Sequence, residues 1–332
     1  MRKCRAAFLL VLPLALSLSI LTGCQRHSYS ETYYLIADNI HLPYWQTAIA
    51  GFNAAARQIG VKAVIAGPKN FDTQAELQAL ESAVAAKPSG ILISVSDAPL
   101  LQDEINKAID AGIPVITFDS DAPHSHRLYF IGTNNREAGH LGGQRVADKL
   151  NGKGNVVFFT IAGQPNLDER LNGYEEILAK YPGIKTAEIV DTKGDSNVAF
   201  DATQRLLPLK GADKIDAFVC LEASACKAVG EVLSRDNITD RLVVAMDVDS
   251  ETLDFINKGV IDSTISQKPY TMAFFGLKML GQIHLYRPKS FLTDYAVNVF
   301  SPYPVFVDTG TSLVDKENVD LYLTQEKEAE KK

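Results

Sequence analysis

From residue 33 onward, short apolar runs alternate with amphipathic segments of helical period, and that alternation constrains the fold more than any motif in the chain. Residues 33–37 (Tyr-Tyr-Leu-Ile-Ala) read as a buried strand, and residues 45–59 place Ala48, Ile49, Phe52, Ala55, Ala56 and Ile59 at helical spacing. The pattern continues with a strand at 62–66, a helix at 73–86 that Asp72 can cap, a strand at 90–95, a helix at 99–111 and a strand at 114–119. Strands that are apolar along their whole length need cover on both faces, which helices between parallel strands provide. This first series predicts one α/β lobe.

A second series opens with a strand at 128–133 and a helix at 136–150. Strands at 155–161, 187–191, 217–221, 242–247 and 263–267 follow, separated by helices at 167–180, 198–207, 224–235 and 251–257. After Pro269 a long apolar helix runs to 285, and residues 295–300 and 304–307 read as late strands that return to complete the lobes. The expected fold is α/β, with two Rossmann-like lobes of parallel sheet joined by a three-strand hinge. Residues 33–133 with 268–300 form the N-terminal lobe, and 134–267 with 301–323 form the C-terminal lobe. The chain crosses between them near 132–134, 267–269 and 301–304, and the charged residues 324–332 are expected to fray. A hydrophobic content of 46% over 332 residues suits two cores better than one.

The amino terminus sets the compartment. Arg2, Lys3 and Arg5 precede an apolar run over residues 8–20 that Pro13 breaks. The run is shorter than the about 20 residues a bilayer crossing takes, so residues 1–23 read as a cleavable secretory signal. It ends in Leu21-Thr22-Gly23-Cys24, which resembles a bacterial lipobox and makes Cys24 the expected lipidation site. Acyl chains there would tether a folded body to a bacterial membrane, in the periplasm or at the cell surface, with residues 24–32 as a polar spacer and the lipid as the only membrane contact. Cys220 and Cys226 remain, and their spacing fits either a local disulfide or two buried thiols. Without a second cysteine pair or nearby histidines, no metal is expected. Loss of Arg2, Lys3 and Arg5 takes the formal charge from −7 to −10, which argues against nucleic acid as a partner.

Cofactor signatures are missing. Gly152-Lys153-Gly154 lacks the third glycine of a dinucleotide fingerprint, and no P-loop, nucleophile elbow or His-Glu-x-x-His occurs, so no cofactor is expected. What recurs is a polar residue at the carboxyl end of a strand: Ser94, Asp119, Asn134 with Asn135, Glu222, Asp247 and Gln267. Ligands of open parallel sheets bind outside those ends, so these side chains converge on one crevice if the lobes face each other. Each could instead cap the helix that follows it.

Three stretches, in this order and spacing, resemble the periplasmic ribose-binding-protein family: Gly112-Ile-Pro-Val-Ile-Thr-Phe-Asp119, Gly163-Gln-Pro-Asn-Leu-Asp-Glu-Arg-Leu-Asn-Gly-Tyr174 and Asp262-Ser-Thr-Ile-Ser-Gln-Lys-Pro269. The likeness runs over roughly residues 33–319, and the fold is shared with the sensory domain of lac-repressor-type regulators. It implies a solute-binding protein of an ABC-type importer that closes two lobes on a monosaccharide, a pentose or hexose, and hands it to a membrane permease; a monomer is expected. The family's paired aromatics fall on Tyr44 and Trp45, whose rings could hold the C–H faces of a sugar or simply pack in the core. The hydroxyl-binding aspartate falls on Asp119, the asparagine after the first crossing on Asn135 and the arginine on Arg170. The later strand-end pair falls on Asp247 and Gln267. Three positions depart from the family: Leu42 stands for asparagine, with His41 beside it; Ser120 stands for arginine; Glu222 stands for asparagine. His41 and Glu222 therefore become candidates for reading a hydroxyl pattern other than that of ribose.

Two rival functions follow from the same residues. The cleft could serve an extracytoplasmic receptor for a furanose-like signal or a chemoattractant. Carboxylates at Asp119, Asp247 or Glu222 could act as acid and base in a carbohydrate-active enzyme. An arginine among them would hold them ionised, and the resemblance points to binding without turnover, so no enzymatic activity is expected.

Overall fold

The computed structural model describes residues 27–293, 295 and 297–329. The expected leader over 1–23 and the lipidation candidate Cys24 lie outside these residues. The described chain forms two six-stranded sheets.

The first sheet contains β1 (Thr32–Ile36), β2 (Lys62–Ala66), β3 (Gly90–Ile93), β4 (Val115–Phe118), β5 (Phe130–Gly132) and β11 (Phe306–Asp308), in the order β11-β5-β4-β3-β1-β2. All its pairings are parallel. Every residue of β3 and β4 is buried, as expected of strands covered on both sides. The cover is α1 (Pro43–Ile59), α2 (Thr73–Ala85), α3 (Ala98–Asp110) and α9 (Pro269–Leu285).

The second sheet contains β6 (Lys153–Thr160), β7 (Gly183–Asp191), β8 (Ala217–Cys220), β9 (Leu242–Met246), β10 (Ser263–Ser266) and β12 (Ser312–Asp315), in the order β12-β10-β9-β8-β6-β7. Only β12 runs antiparallel to its neighbour. Around it lie α4 (Asn135–Lys149), α5 (Pro165–Leu178), α6 (Ser196–Leu206), α7 (Ala223–Arg235), α8 (Ser250–Lys258) and α10 (Val319–Ala329).

Strand-to-helix turns carry the caps that start these helices. Asp72, Asp97, Asn134, Asp195, Glu222 and Asp249 each accept a backbone N–H of the first helical turn. Asn134 thus serves as a cap.

Several boundaries differ from the expectation. Phe306 of β11 pairs with Phe130, so residues 306–308 belong to the first sheet, and the third crossing lies at 309–311 and not at 301–304. Described residues of 295–300 form turns and loop, not a strand; Pro302 and Pro304 just beyond can donate no ladder hydrogen bond. The expected frayed tail is instead helical through Ala329, because its Gln, Glu, Lys and Ala are good helix formers. Residues 27–32 are not a free spacer either. Glu31 is buried and accepts from the Ser28 amide and the Tyr33 hydroxyl, which fastens the segment to the lobe. Cys220 and Cys226 are both buried free thiols.

Helices α4 and α5 approach unusually closely. A Cβ on Gly139 would lie 2.1 Å from the Arg170 carbonyl oxygen, and one on Gly173 would lie 2.2 Å from that of Arg136. Backbone cannot yield as a flexible side chain can, so Gly173→Ala must push the helices apart. We expect it to destabilise the protein by about 1–3 kcal/mol, read as a lower urea midpoint; an unchanged midpoint would show that the contact is not tight.

Candidate ligand-binding site

The site is built where the carboxyl ends of the two sheets face each other. Asp119 follows β4 and Asp247 follows β9, one in each lobe, and both adopt left-handed backbone conformations, with φ of 62° and 71°. Such conformations are uncommon outside glycine, cost energy, and cluster at sites where a side chain must be aimed. The two carboxyls are aimed into the interlobe cleft and are 3% and 8% exposed.

Asp119 is held from several directions. The Tyr44 hydroxyl donates to Oδ1, Asn166 Nδ2 donates to Oδ2 from the other lobe at 3.1 Å, and Ser94 Oγ lies 3.4 Å from Oδ2. Asp247 accepts from Gln267 Nε2 at 2.9 Å, while Gln267 Oε1 accepts from Thr133 Oγ1 at 2.7 Å across the first two crossings. Arg170 is 2% exposed. Its Nη1 donates to the Leu221 carbonyl, and its Nη2 donates to Asn135 Oδ1 at 2.6 Å and to Gln267 Oε1 at 3.4 Å. A second bond between lobes runs from Gln164 Nε2 to Asp38 Oδ2 at 3.3 Å.

These groups wall a cavity of about 240 Å³. Of the residues singled out from sequence, Tyr44, Trp45, Asp119, Arg170, Glu222, Asp247 and Gln267 line it. Ser94 and Asn135 stand one layer behind, bonded to Asp119 and Arg170. His41 is exposed and lies off the cavity wall, because it falls in the turn before α1. Glu222 lines the cavity but also caps α7, accepting from the Ser224 and Ala225 amides at 2.6 and 2.9 Å. Tyr44 and Trp45 meet at 85° with centroids 5.0 Å apart, so they form a corner and cannot both lie flat on one face of a guest.

Sequence reading missed Asp38, Asn39, Phe71, Gln164 and Asn166. Asp38 had a signal, since it sits just beyond the first strand like the other strand-end polar residues. Gln164 and Asn166 lie inside the Gly163–Tyr174 stretch, from which only Arg170 was carried over. Phe71 lies in a loop with no periodicity, and it packs across the cleft against Gly194, whose Cβ would meet Phe71 Cβ at 2.7 Å.

The electrostatics follow from burial. Burial pushes Asp247 up to about 7, with Arg170 and Gln267 opposing. Burial likewise raises Asp119 against the opposing pull of Tyr44, Arg170 and Ser94, and raises Glu222 against its cap bonds. Asp38 is raised by burial and by the charge on Asp119. Glu76, buried behind it, is raised well above the usual carboxylate range by burial and by Asp38, although Ser96 binds one of its oxygens. Two polar atoms of the wall lack a hydrogen-bond partner: Arg170 Nε, a donor, and Asn166 Oδ1, an acceptor. A buried polar atom left unpaired costs about 1–3 kcal/mol.

The family described as a periplasmic binding protein domain matches residues 33–284. The xylose/arabinose-binding protein XylF of Sulfolobus acidocaldarius is 26% identical over 275 residues, which cover 77% of this chain and 64% of that protein, less than two thirds of its length. A sugar-binding protein of a sugar ABC transporter from Bacillus halodurans is 34% identical, with a TM-score of 0.76, over 88% of this chain and 100% of that one. An ABC transporter solute-binding protein from Burkholderia graminis, solved with D-arabinose, is 27% identical, with a TM-score of 0.79, over 88% and 98%. With two facing α/β lobes, a polar cleft between their strand ends and a family match over most of its length, the chain belongs to the periplasmic binding protein family.

Proposed function

We propose that this chain is the extracytoplasmic solute-binding component of an ABC-type sugar importer and that its ligand centres on a monosaccharide ring. The observation that carries this reading is the set of carboxyl, amide and guanidinium side chains from both lobes, Asp119, Asp247, Gln164, Asn166, Arg170 and Gln267, around a small cavity with an aromatic corner. A sugar hydroxyl both donates and accepts, so neighbouring hydroxyls can satisfy a guanidinium and an amide oxygen while bonding to carboxylates nearby. The volume of about 240 Å³ lies below the roughly 300–1,000 Å³ of sites for drug-sized ligands, which suits a single ring. The names of the relatives, xylose/arabinose-binding and solved with D-arabinose, favour an aldose.

Asp119, Asn135, Arg170, Asp247 and Gln267 bind or orient the ring, Tyr44 and Trp45 shape its apolar side, and Asp38, Gln164 and Asn166 add contacts from both lobes. One chain supplies every wall of the cavity, so a monomer is competent. Ligand closes the hinge because it bonds both lobes and so binds the closed form better than the open one. The closed form is what a permease would recognise, and lipidation at Cys24 would keep the protein at the membrane. The carboxylates serve binding: Tyr44, Asn166 and Ser94 fix Asp119 as an acceptor, and a carboxylate with about four lone-pair sites still has room for a sugar hydroxyl.

A thermal-shift screen of pentoses, hexoses and polyols should raise the melting temperature with at least one free sugar, by mass action on the folded state. Asp119→Asn keeps the side-chain volume and tolerates the left-handed backbone. We expect it to weaken that sugar roughly 10- to 100-fold, the worth of hydrogen bonds to a charged group, while the unliganded protein stays folded; undiminished affinity would remove Asp119 from the site.

Stability should also depend on Asp247. In the folded chain it holds its proton up to about pH 7, but unfolded only to about pH 4. Across that window the folded state binds more protons, so this group's contribution falls as pH rises. The stability difference between wild type and Asp247→Asn, from urea titrations of ligand-free protein, should therefore shift against wild type from pH 4 to 7; a flat difference would refute it.

A further inference from the structure

Beside the sugar cleft lies a second cavity between the lobes, of about 410 Å³. The two cavities share Leu42, Tyr44, Ala223, Asp247 and Gln267 as walls, so they are adjoining compartments of one cleft. Their linings differ in kind. The first combines charged and amide groups with its aromatics, whereas the second adds Pro43 and Thr47 of α1, Pro269 and Tyr270 of α9, and Val248 and Leu253 from the other lobe, with Lys227, Asp249 and Lys268 among its polar members.

We propose that the second cavity receives the aglycone of a glycoside, so that the preferred ligand is a monosaccharide carrying an apolar substituent. This rests on the sugar-binding reading and names the class of sugar. Leu42 stands at the junction, where the resemblance expects an asparagine; an apolar wall there offers a substituent a surface in place of a hydroxyl partner. Charge on that wall favours no ionic substituent. Lys227, which pairs with Asp249 at 3.4 Å and Glu251 at 3.0 Å, and Lys268 stand against the carboxylates of Asp247 and Asp249. An apolar group entering the cavity gains from leaving water, and the ring stays bonded in the first compartment.

The test is calorimetric titration of the purified protein with D-ribose, D-xylose, D- and L-arabinose, D-allose, D-glucose and D-galactose, and with the α- and β-p-nitrophenyl glycosides of each. At least one glycoside should bind roughly tenfold or more tightly than its parent sugar, from burial of its apolar ring. Thr47 is exposed on α1 and walls only the second cavity, so Thr47→Trp should fill that compartment. It should abolish the gain, leave the parent sugar within about twofold and leave the melting temperature of the free protein unchanged. If parent sugars bind and every glycoside binds no better, the inference is overturned while the sugar-binding reading stands. The inference is likewise overturned if Thr47→Trp weakens sugar and glycoside equally. If no sugar binds in either form, the sugar-binding reading itself fails and takes the inference with it.

Discussion

A guanidinium that is 2% exposed has to be compensated within the protein, and Arg170 is compensated by parts of the chain far apart in sequence. The Leu221 carbonyl at the end of β8, Asn135 at the start of α4 and Gln267 at the second crossing each accept from it. Arg170 sits on α5, and α5 can bring it to these partners only because Gly139 and Gly173 let α4 and α5 close to backbone contact. Through Gln267 the same network reaches Thr133 and Asp247, so it ties two crossings between the lobes to one charge. The site and the hinge are therefore one hydrogen-bonded unit.

That charge also explains how a cleft this acidic persists. Asp38, Asp119, Glu222 and Asp247 all face the cavity and are all raised by burial, while Arg170 is the cation among its lining residues. Each carboxyl is then partly neutralised by a donor: Tyr44 and Asn166 on Asp119, Gln267 on Asp247, Gln164 on Asp38 and the α7 amides on Glu222. Two of those donors, Gln164 and Asn166, come from the lobe opposite their acceptor. Opening the lobes would break these bonds and return the carboxyls to water, so closure and the ionisation of the cleft are coupled.

The alternation of short apolar strands with amphipathic helices was enough to read both lobes, because strands such as β3 and β8 are buried along their whole length and carry no polar alternation. Asp119, Asp247 and Gln267 were legible because strand-end positions converge in any such fold, whereas Arg170, on a helix, was named only through the family resemblance. The late segment was not. Residues 286–305 carry exposed Leu292, Val297, Val299 and Phe300, and apolar content without burial imitates a strand. His41 was misplaced for a related reason: adjacency to a motif in sequence says nothing about which way a turn points a side chain. Phe71 reaches the cleft through tertiary packing, only because Gly194 of the other lobe leaves it room.

Three positions at or near the cleft differ from what the resemblance implies. Ser120 is fully buried with its hydroxyl unpaired, so the charge expected there is gone and Arg170 carries the positive side of the cleft. Glu222, where the resemblance implies a neutral amide, spends its carboxylate on the helix it caps, which limits how far it can reach for a guest. Leu42, where the resemblance implies an asparagine, lines both cavities and offers no hydrogen bond. Losing one partner for a sugar hydroxyl disfavours a ring that needs it by about 1–3 kcal/mol, and favours a ring whose corresponding position carries no free hydroxyl. On the proposed sugar-binding reading, substitution at the position facing Leu42 satisfies that condition, so the apolar junction and the second compartment fit one ligand.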